Sequence, residues 1–232
     1  MARTAAVASD DFNRAAPLGA NWTNINSDWA APTINGAGTR VIGNTANLPS
    51  NEGCVRWAGS GTFNNDQWAS IKVYPNFNTS GYGIGVMVRS SADVNAGRDS
   101  YQAYVEYSAA GPDYTTILRK VVNGTVTVLH SATNAWTGGD RLDIEAEGST
   151  IRLCKNGTPL GGSFTVTDTA LTTGQPGVVA SGGSTEEGDD WEAGNFASAG
   201  VVNARNGIAL SGISAINGIT KTGVSAINGL TI

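Results

Sequence analysis

Imidazole is nearly missing from this chain: His130 is the single histidine among 232 residues. A serine or cysteine hydrolase needs an imidazole base beside its nucleophile, and no Gly-x-Ser-x-Gly elbow is present, so His130 reads as an ordinary strand-end residue. Cys54 and Cys154 stand far apart with one histidine between them, which excludes a zinc motif and leaves either two buried thiols or a single disulfide. Charge is scarce as well. Only 14% of residues are charged, against about a quarter in average soluble proteins. Fourteen basic residues face 19 acidic ones, a formal charge of −5 with no basic patch, which argues against nucleic acid as a partner. The glycine-rich strings SGYGIG and SGGSTEEGDD lack the lysine or following helix of a phosphate cradle. No apolar run approaches the roughly 20 residues of a membrane helix, so membrane insertion is not expected. The opening MARTAAVASDDFNR has no signal-peptide-like stretch, so the chain is not expected to enter the secretory route by itself.

What is present is glycine, at 31 positions, and a 40% hydrophobic fraction that includes six tryptophans. Such a chain is dense in turns yet able to fill a core. From residue 10 to about 196, apolar and polar residues alternate over short runs, the pattern of half-buried antiparallel strands. The clearest runs are 68–74, 83–89, 101–107, 114–121, 125–131, 141–147, 150–155 and 162–168. Asn123-Gly124 and Asn156-Gly157 suit the two positive-φ positions of tight type I′ hairpins. The expected fold is all-β: an antiparallel β-sandwich of jelly-roll type over residues 10–196, preceded by an N-terminal arm, residues 1–9.

After Phe196 the aromatics vanish and a repeat of eleven residues begins. NGIALSGISAI (206–216) aligns with NGITKTGVSAI (217–227) and with the truncated NGLTI (228–232). So short a unit cannot bury its own apolar face and must stack on copies of itself or on other chains. The stretch 197–205 reads as a linker, and 206–232 as a β-rich appendage for oligomerisation or attachment. Its β-branched and aliphatic residues Ile208, Ile213, Ile216, Ile219, Val224, Ile227 and Leu230 are the candidate contacts.

Three strings resemble the concanavalin A-like lectin/glucanase superfamily, in particular its laminin-G-like jelly-roll modules. DDFNRAAPLGANWT (10–23) is similar to the opening segment, GDRLDIEAEGSTIRLCKNGTPL (139–160) to the central hairpin, and GQPGVVASGGSTEEGDDWEAGNF (174–196) to the closing segment, whose last strand returns beside the first. The NGI and SAI units resemble the C-terminal repeats of bacteriophage virion proteins. Together these resemblances imply a non-enzymatic virion structural protein of the tail, fibre or head-decoration type. It would be assembled in the host cytoplasm and joined as a homo-oligomer, such as a trimer, to other virion proteins. A carbohydrate-binding lectin-like module, extracellular and directed at a cell-surface glycan, is the alternative, and a glycosidase the third reading.

The superfamily implies further candidates. Asp143, Glu145 and Glu147 share one face of a strand, as paired glycosidase carboxylates must, but the spacing departs from the superfamily signature. The favoured reading makes them a solvated face, with Leu142, Ile144 and Ala146 toward the core. No cofactor is required, but a structural Ca²⁺ held by Asp10, Asp11, Asp189 and Asp190 is implied between the first and last strands, with turn-capping aspartates as the plainer reading. Trp57, Trp136 and Tyr82 are candidate platforms for a pyranose ring.

Overall fold

The computed structural model describes residues 2–26, 30–35, 37–43, 52–74, 82–92, 99–107, 114–181 and 187–197, together with the backbone of four short strands in the tail. The chain divides into two compact units, Met1–Ala197 and Ser198–Ile232.

The first unit is the expected sandwich. Its strands are β1 (Arg3–Asp10), β2 (Trp22–Asn24), β3 (Thr33–Ile34), β4 (Val41–Ile42), β5 (Glu52–Trp57), β6 (Gln67–Tyr74), β7 (Gly83–Ser90) and β8 (Ser100–Tyr107). They continue as β9 (Tyr114–Val122), β10 (Thr125–Asn134), β11 (Arg141–Glu147), β12 (Thr150–Lys155), β13 (Thr158–Pro159), β14 (Thr165–Thr167), β15 (Gln175–Ser181) and β16 (Glu187–Phe196). One sheet runs β13-β12-β11-β6-β16-β4-β3, with β14 on β12 and β1 on β16; the other runs β10-β9-β8-β7-β15-β5-β2. All pairings are antiparallel, and the last strand of the unit lies beside the first, Asp10 opposite Trp191. Residues 3–9 are therefore a strand of the sheet and not a separate arm. Asn123, Gly124, Asn156 and Gly157 all have positive φ, as the two hairpins require.

Alternation explains the layering. Ile71 and Val73 on β6, Leu142 and Ile144 on β11, and Leu153 on β12 face Val86 and Val88 on β7, Tyr101 and Ala103 on β8, and Val178 on β15 in one continuous core. At one end, three tryptophans from both sheets meet. Trp22 lies edge-on to Trp57 and Trp191, with centroids 5.3 and 4.8 Å away, and Trp57 stacks on Trp191 at 5.3 Å. Asp10 anchors this end by accepting bonds from the Trp22 indole (2.6 Å), from both terminal nitrogens of Arg14 and from the Phe12 amide.

In the second unit, β17 (Ala215–Ile216) pairs with β18 (Ile219–Thr220), and β19 (Ala226–Ile227) with β20 (Leu230–Thr231). The second hairpin repeats the first eleven residues on, in the same register, with Ile216 opposite Ile219 and Ile227 opposite Leu230. Ile208, Ile213 and Val224 lie outside the described residues.

Candidate functional site

Several sequence candidates are placed elsewhere than expected. Trp57 and Trp136 are core residues, 5% and 4% exposed, with their indoles bonded to the Ser60 carbonyl and the Thr116 hydroxyl. Neither presents a ring face to solvent. Tyr82 is half-buried just before β7. The four aspartates come together as backbone but not as ligands. Asp10 is taken up by Arg14 and Trp22, Asp190 pairs with Lys72, and Asp189 accepts the Asp190 amide. Asp11 caps the turn at Asn13. Among the described residues no group of three or more His, Cys, Asp or Glu side chains is placed to hold a metal ion.

The acidic strand β11 is also different. Leu142, Ile144 and Ala146 do face the core, but the other face is not solvated: Asp143 is 1% and Glu145 8% exposed. Arg3 reaches across from β1 to bond Asp143 (3.0 Å) and Glu145 (2.8 Å), and Arg152 bridges Glu145 and Glu147 at 3.1 Å each. The Gly157 amide takes the other Asp143 oxygen. Carboxylates held this way are neutralised structural groups, since burying them unpaired would cost several kcal/mol. Cys154 lies among them, its thiol pushed up to about 12 by burial and then by the Glu145 charge. Cys54 is buried in the opposite sheet, and neither cysteine is in a disulfide.

The sequence reading missed the outer face of the seven-stranded sheet. Cross-strand partners share a face, so the register defines rows. One row reads Val128, Arg119, Gln102, Met87, Gly177, Arg56 across β10, β9, β8, β7, β15 and β5. The next reads Ile117, Tyr104, Gly85, Val179, Cys54. Gly83 and Gly85 form a floor for the Tyr104 ring; a Cβ on either would fall 2.6 or 2.9 Å from ring atoms. The Tyr104 hydroxyl donates to the Ser181 hydroxyl, which also accepts the Gly83 amide. Burial, and then the charge of Glu52, holds the phenol well above its usual range.

The Arg119 guanidinium lies 4.5 Å above the Tyr104 ring, so Tyr104 is layered between glycine backbone and a cation. Arg119 Nε donates to Gln102 (2.8 Å) and Nη1 to Glu52 (2.7 Å). The side chain is only 7% exposed, yet Nη2 has no acceptor among the described residues. In the same row, Arg56 Nε is likewise buried without an acceptor. A buried donor left open costs about 1–3 kcal/mol, more when charged, so natural proteins keep few of them. Beside Arg119 the surface turns apolar, with Val126 and Val128 41% and 54% exposed. Glu106, two places from Tyr104 on β8, has its carboxyl raised by burial and held back by Arg119. The arrangement offers directed N–H donors, a nearby carboxylate and an apolar shelf. It suits an uncharged, oxygen-rich ligand better than a bare ion.

A separate cleft of about 550 Å³ lies between the turn after β1 and the β3–β4 hairpin. Its polar lining is already engaged: Arg14 by Asp10 and the Leu18 carbonyl, and Asn35 by Glu187 and the Thr39 amide.

The comparisons with solved structures place this architecture. The chain is similar to a carbohydrate-binding module, CBM66, from Bacillus subtilis (TM-score 0.53, 18% identity, 75% of this chain and 96% of that one). The fold is a jelly-roll β-sandwich. It is shared with a Bacillus subtilis protein of unknown function described as galectin-like (TM-score 0.55, 10% identity, 84% and 97% covered). A Bacillus licheniformis β-glucanase has it too (TM-score 0.51, 10% identity, 84% and 100% covered). At these identities the likeness shows the jelly roll alone, and the neighbours include both binding modules and a hydrolase. No family model and no curated protein matches the chain. The similar structures give no support to the phage resemblance of the tail repeats.

Proposed function

We propose that this jelly roll is a non-enzymatic carbohydrate-binding module whose ligand docks on the outer face of the seven-stranded sheet at Arg119. The observation that carries the reading is the nearly buried guanidinium whose Nη2 has no acceptor among the described residues, beside an exposed apolar shelf. Sugar hydroxyls would accept from Arg119 Nη2 and donate to the nearby carboxylates, while the apolar face of a pyranose would rest on Val126 and Val128. The carbohydrate-binding and β-glucanase neighbours agree with glycans as the ligand class. The non-enzymatic part rests on Asp143, Glu145 and Glu147, whose oxygens are bound by Arg3 and Arg152 and so are not placed as a free acid and nucleophile.

Binding to an array of glycans and soluble polysaccharides, followed by calorimetry on the hits, tests the reading. Arg119→Lys keeps a charge near Tyr104 but removes the open donor together with bonds to Gln102 and Glu52, and should weaken binding by about tenfold or more at a temperature where the variant, melting lower than the parent, is still folded. Absence of any glycan ligand would remove the reading. Full affinity in Arg119→Lys would move the site elsewhere, and new reducing ends on incubation with a bound polysaccharide would overturn the non-enzymatic part.

The repeated hairpins favour a second element of function. A tail of similar eleven-residue units suits attachment, and in this reading the module is displayed on a phage particle, oligomerised or docked onto another virion protein through residues 206–232. Truncation after Ala199 should then abolish particle incorporation. Incorporation at the full level would dismiss the virion role while leaving the glycan site untouched.

A further inference from the structure

The sandwich ends in unequal edges. Among the described residues, the strands with a neighbour on one side only are β13, β3, β2 and β14, of two or three residues, β1, of eight and carrying Arg3 and Asp10, and β10, of ten. Short edges are one way natural sheets avoid pairing with other chains, and charged or proline residues are another. β10 uses neither: TVTVLHSATN contains no Lys, Arg, Asp, Glu or Pro. Its first four residues are β-branched and exposed, and among the described residues Val126 and Val128 are the exposed large hydrophobics. The one interruption is a register shift between Val128 and His130, beyond the Thr125–Val128 stretch.

We propose that β10 pairs antiparallel with β10 of a second copy of this chain, joining two seven-stranded sheets into one. The strand itself selects a copy over a charged peptide. It carries no charge for a partner to complement, whereas a copy brings an equally neutral strand and no like-charge repulsion despite the net charge of −5. A two-fold axis through Thr127 places Val126 of each chain opposite Val128 of the other, so each exposed valine is covered by a β-branched partner, the favourable cross-strand pairing. The inference rests on the edge and not on Arg119; Val126 and Val128 are also the shelf of the glycan reading, so the dimer is read by sedimentation and exchange without glycan, and the glycan site by Arg119→Lys.

Hydrogen–deuterium exchange and sedimentation of the full chain over rising concentration test it. The amides of residues 125–134 should gain protection as a dimer appears. Val126→Lys combined with Val128→Lys should weaken that dimer roughly a hundredfold while the melting temperature is kept, since both side chains are exposed in the single chain. Three results would overturn the proposal: a monomer at every concentration, an oligomer in which 125–134 exchanges freely, which would assign assembly to the tail, or protection that survives both lysines. Protection that appears only when a different protein is added would replace the copy with a heterologous strand.

Discussion

Arg89 shows how much one side chain can hold in this sandwich. It sits in β7 with φ 53°, is 2% exposed, and donates to the carbonyls of Asn65, Leu171 and Gly148, tying three loops together. Arg89→Met should cost roughly 3 kcal/mol or more in urea unfolding, because three carbonyls lose a charged donor at once. Asp168 shows the pH side. Desolvation pushes its carboxyl up, but bonds from Lys120, Tyr101 and the Ala170 amide outweigh it and hold the value below the usual carboxylate range. A depressed folded value contributes stability that is fully present above the unfolded value, near 4, and is lost as pH falls through the folded one. Asp168→Asn should therefore melt lower than the parent at neutral pH, with the gap closing in acid, as thermal melts across pH would record. The raised Cys154 thiol predicts slow alkylation by iodoacetamide in the native protein and rapid alkylation in urea, read by mass spectrometry. At this scale the sequence was least legible. Tyr101 and Tyr104, three residues apart on β8, lie on opposite faces, as strand parity requires. Arg119, inside YTTILRKVV, carries no motif that marks it. Only the partner strand, with Gly85 opposite Tyr104 and Gly83 under its ring, reveals why it is buried.

Strands were legible where side chains are large and alternate. The runs at 68–74, 83–89 and 141–147 match β6, β7 and β11 to within a residue. β16 was legible through the resemblance of 174–196 to a closing segment and not through alternation, since EGDDWEAGNF has little bulk to alternate; it does lie between β6 and β1 inside a sheet. Its small residues have a reason: Gly194 lies under the Trp68 ring, where a Cβ would come within 2.9 Å. β1 was hidden because RTAAVASD has little bulk to alternate, yet it carries Arg3, the counter-charge for β11. Deleting residues 2–9 should cost about 3–5 kcal/mol, since Asp143 and Glu145 would stay largely buried with a partner removed. Arg3→Ala in the full chain should account for much of that loss, and parallel urea titrations would compare the two.

At the scale of the whole molecule, alternation with Asn-Gly turn chemistry was enough to point to an all-β sandwich, and the eleven-residue period marked the second unit. The period could not reveal what the hairpins rest on, because a repeat specifies its own register and not its partner. A chain ending at Ala197 should keep the near-ultraviolet circular dichroism and the melting temperature of the full protein, as expected of a unit with its own core. The two ends of that core meet. The Ala197 amide donates to the Ala2 carbonyl at 2.9 Å, and Arg3 lies opposite Phe196. Tension applied through residues 2 and 197 would load the β1–β16 ladder one bond at a time, like a zipper opened from its end, and would not shear the whole ladder at once. The sandwich should yield to a weak pull in that direction while resisting one between residues on strands far from this seam.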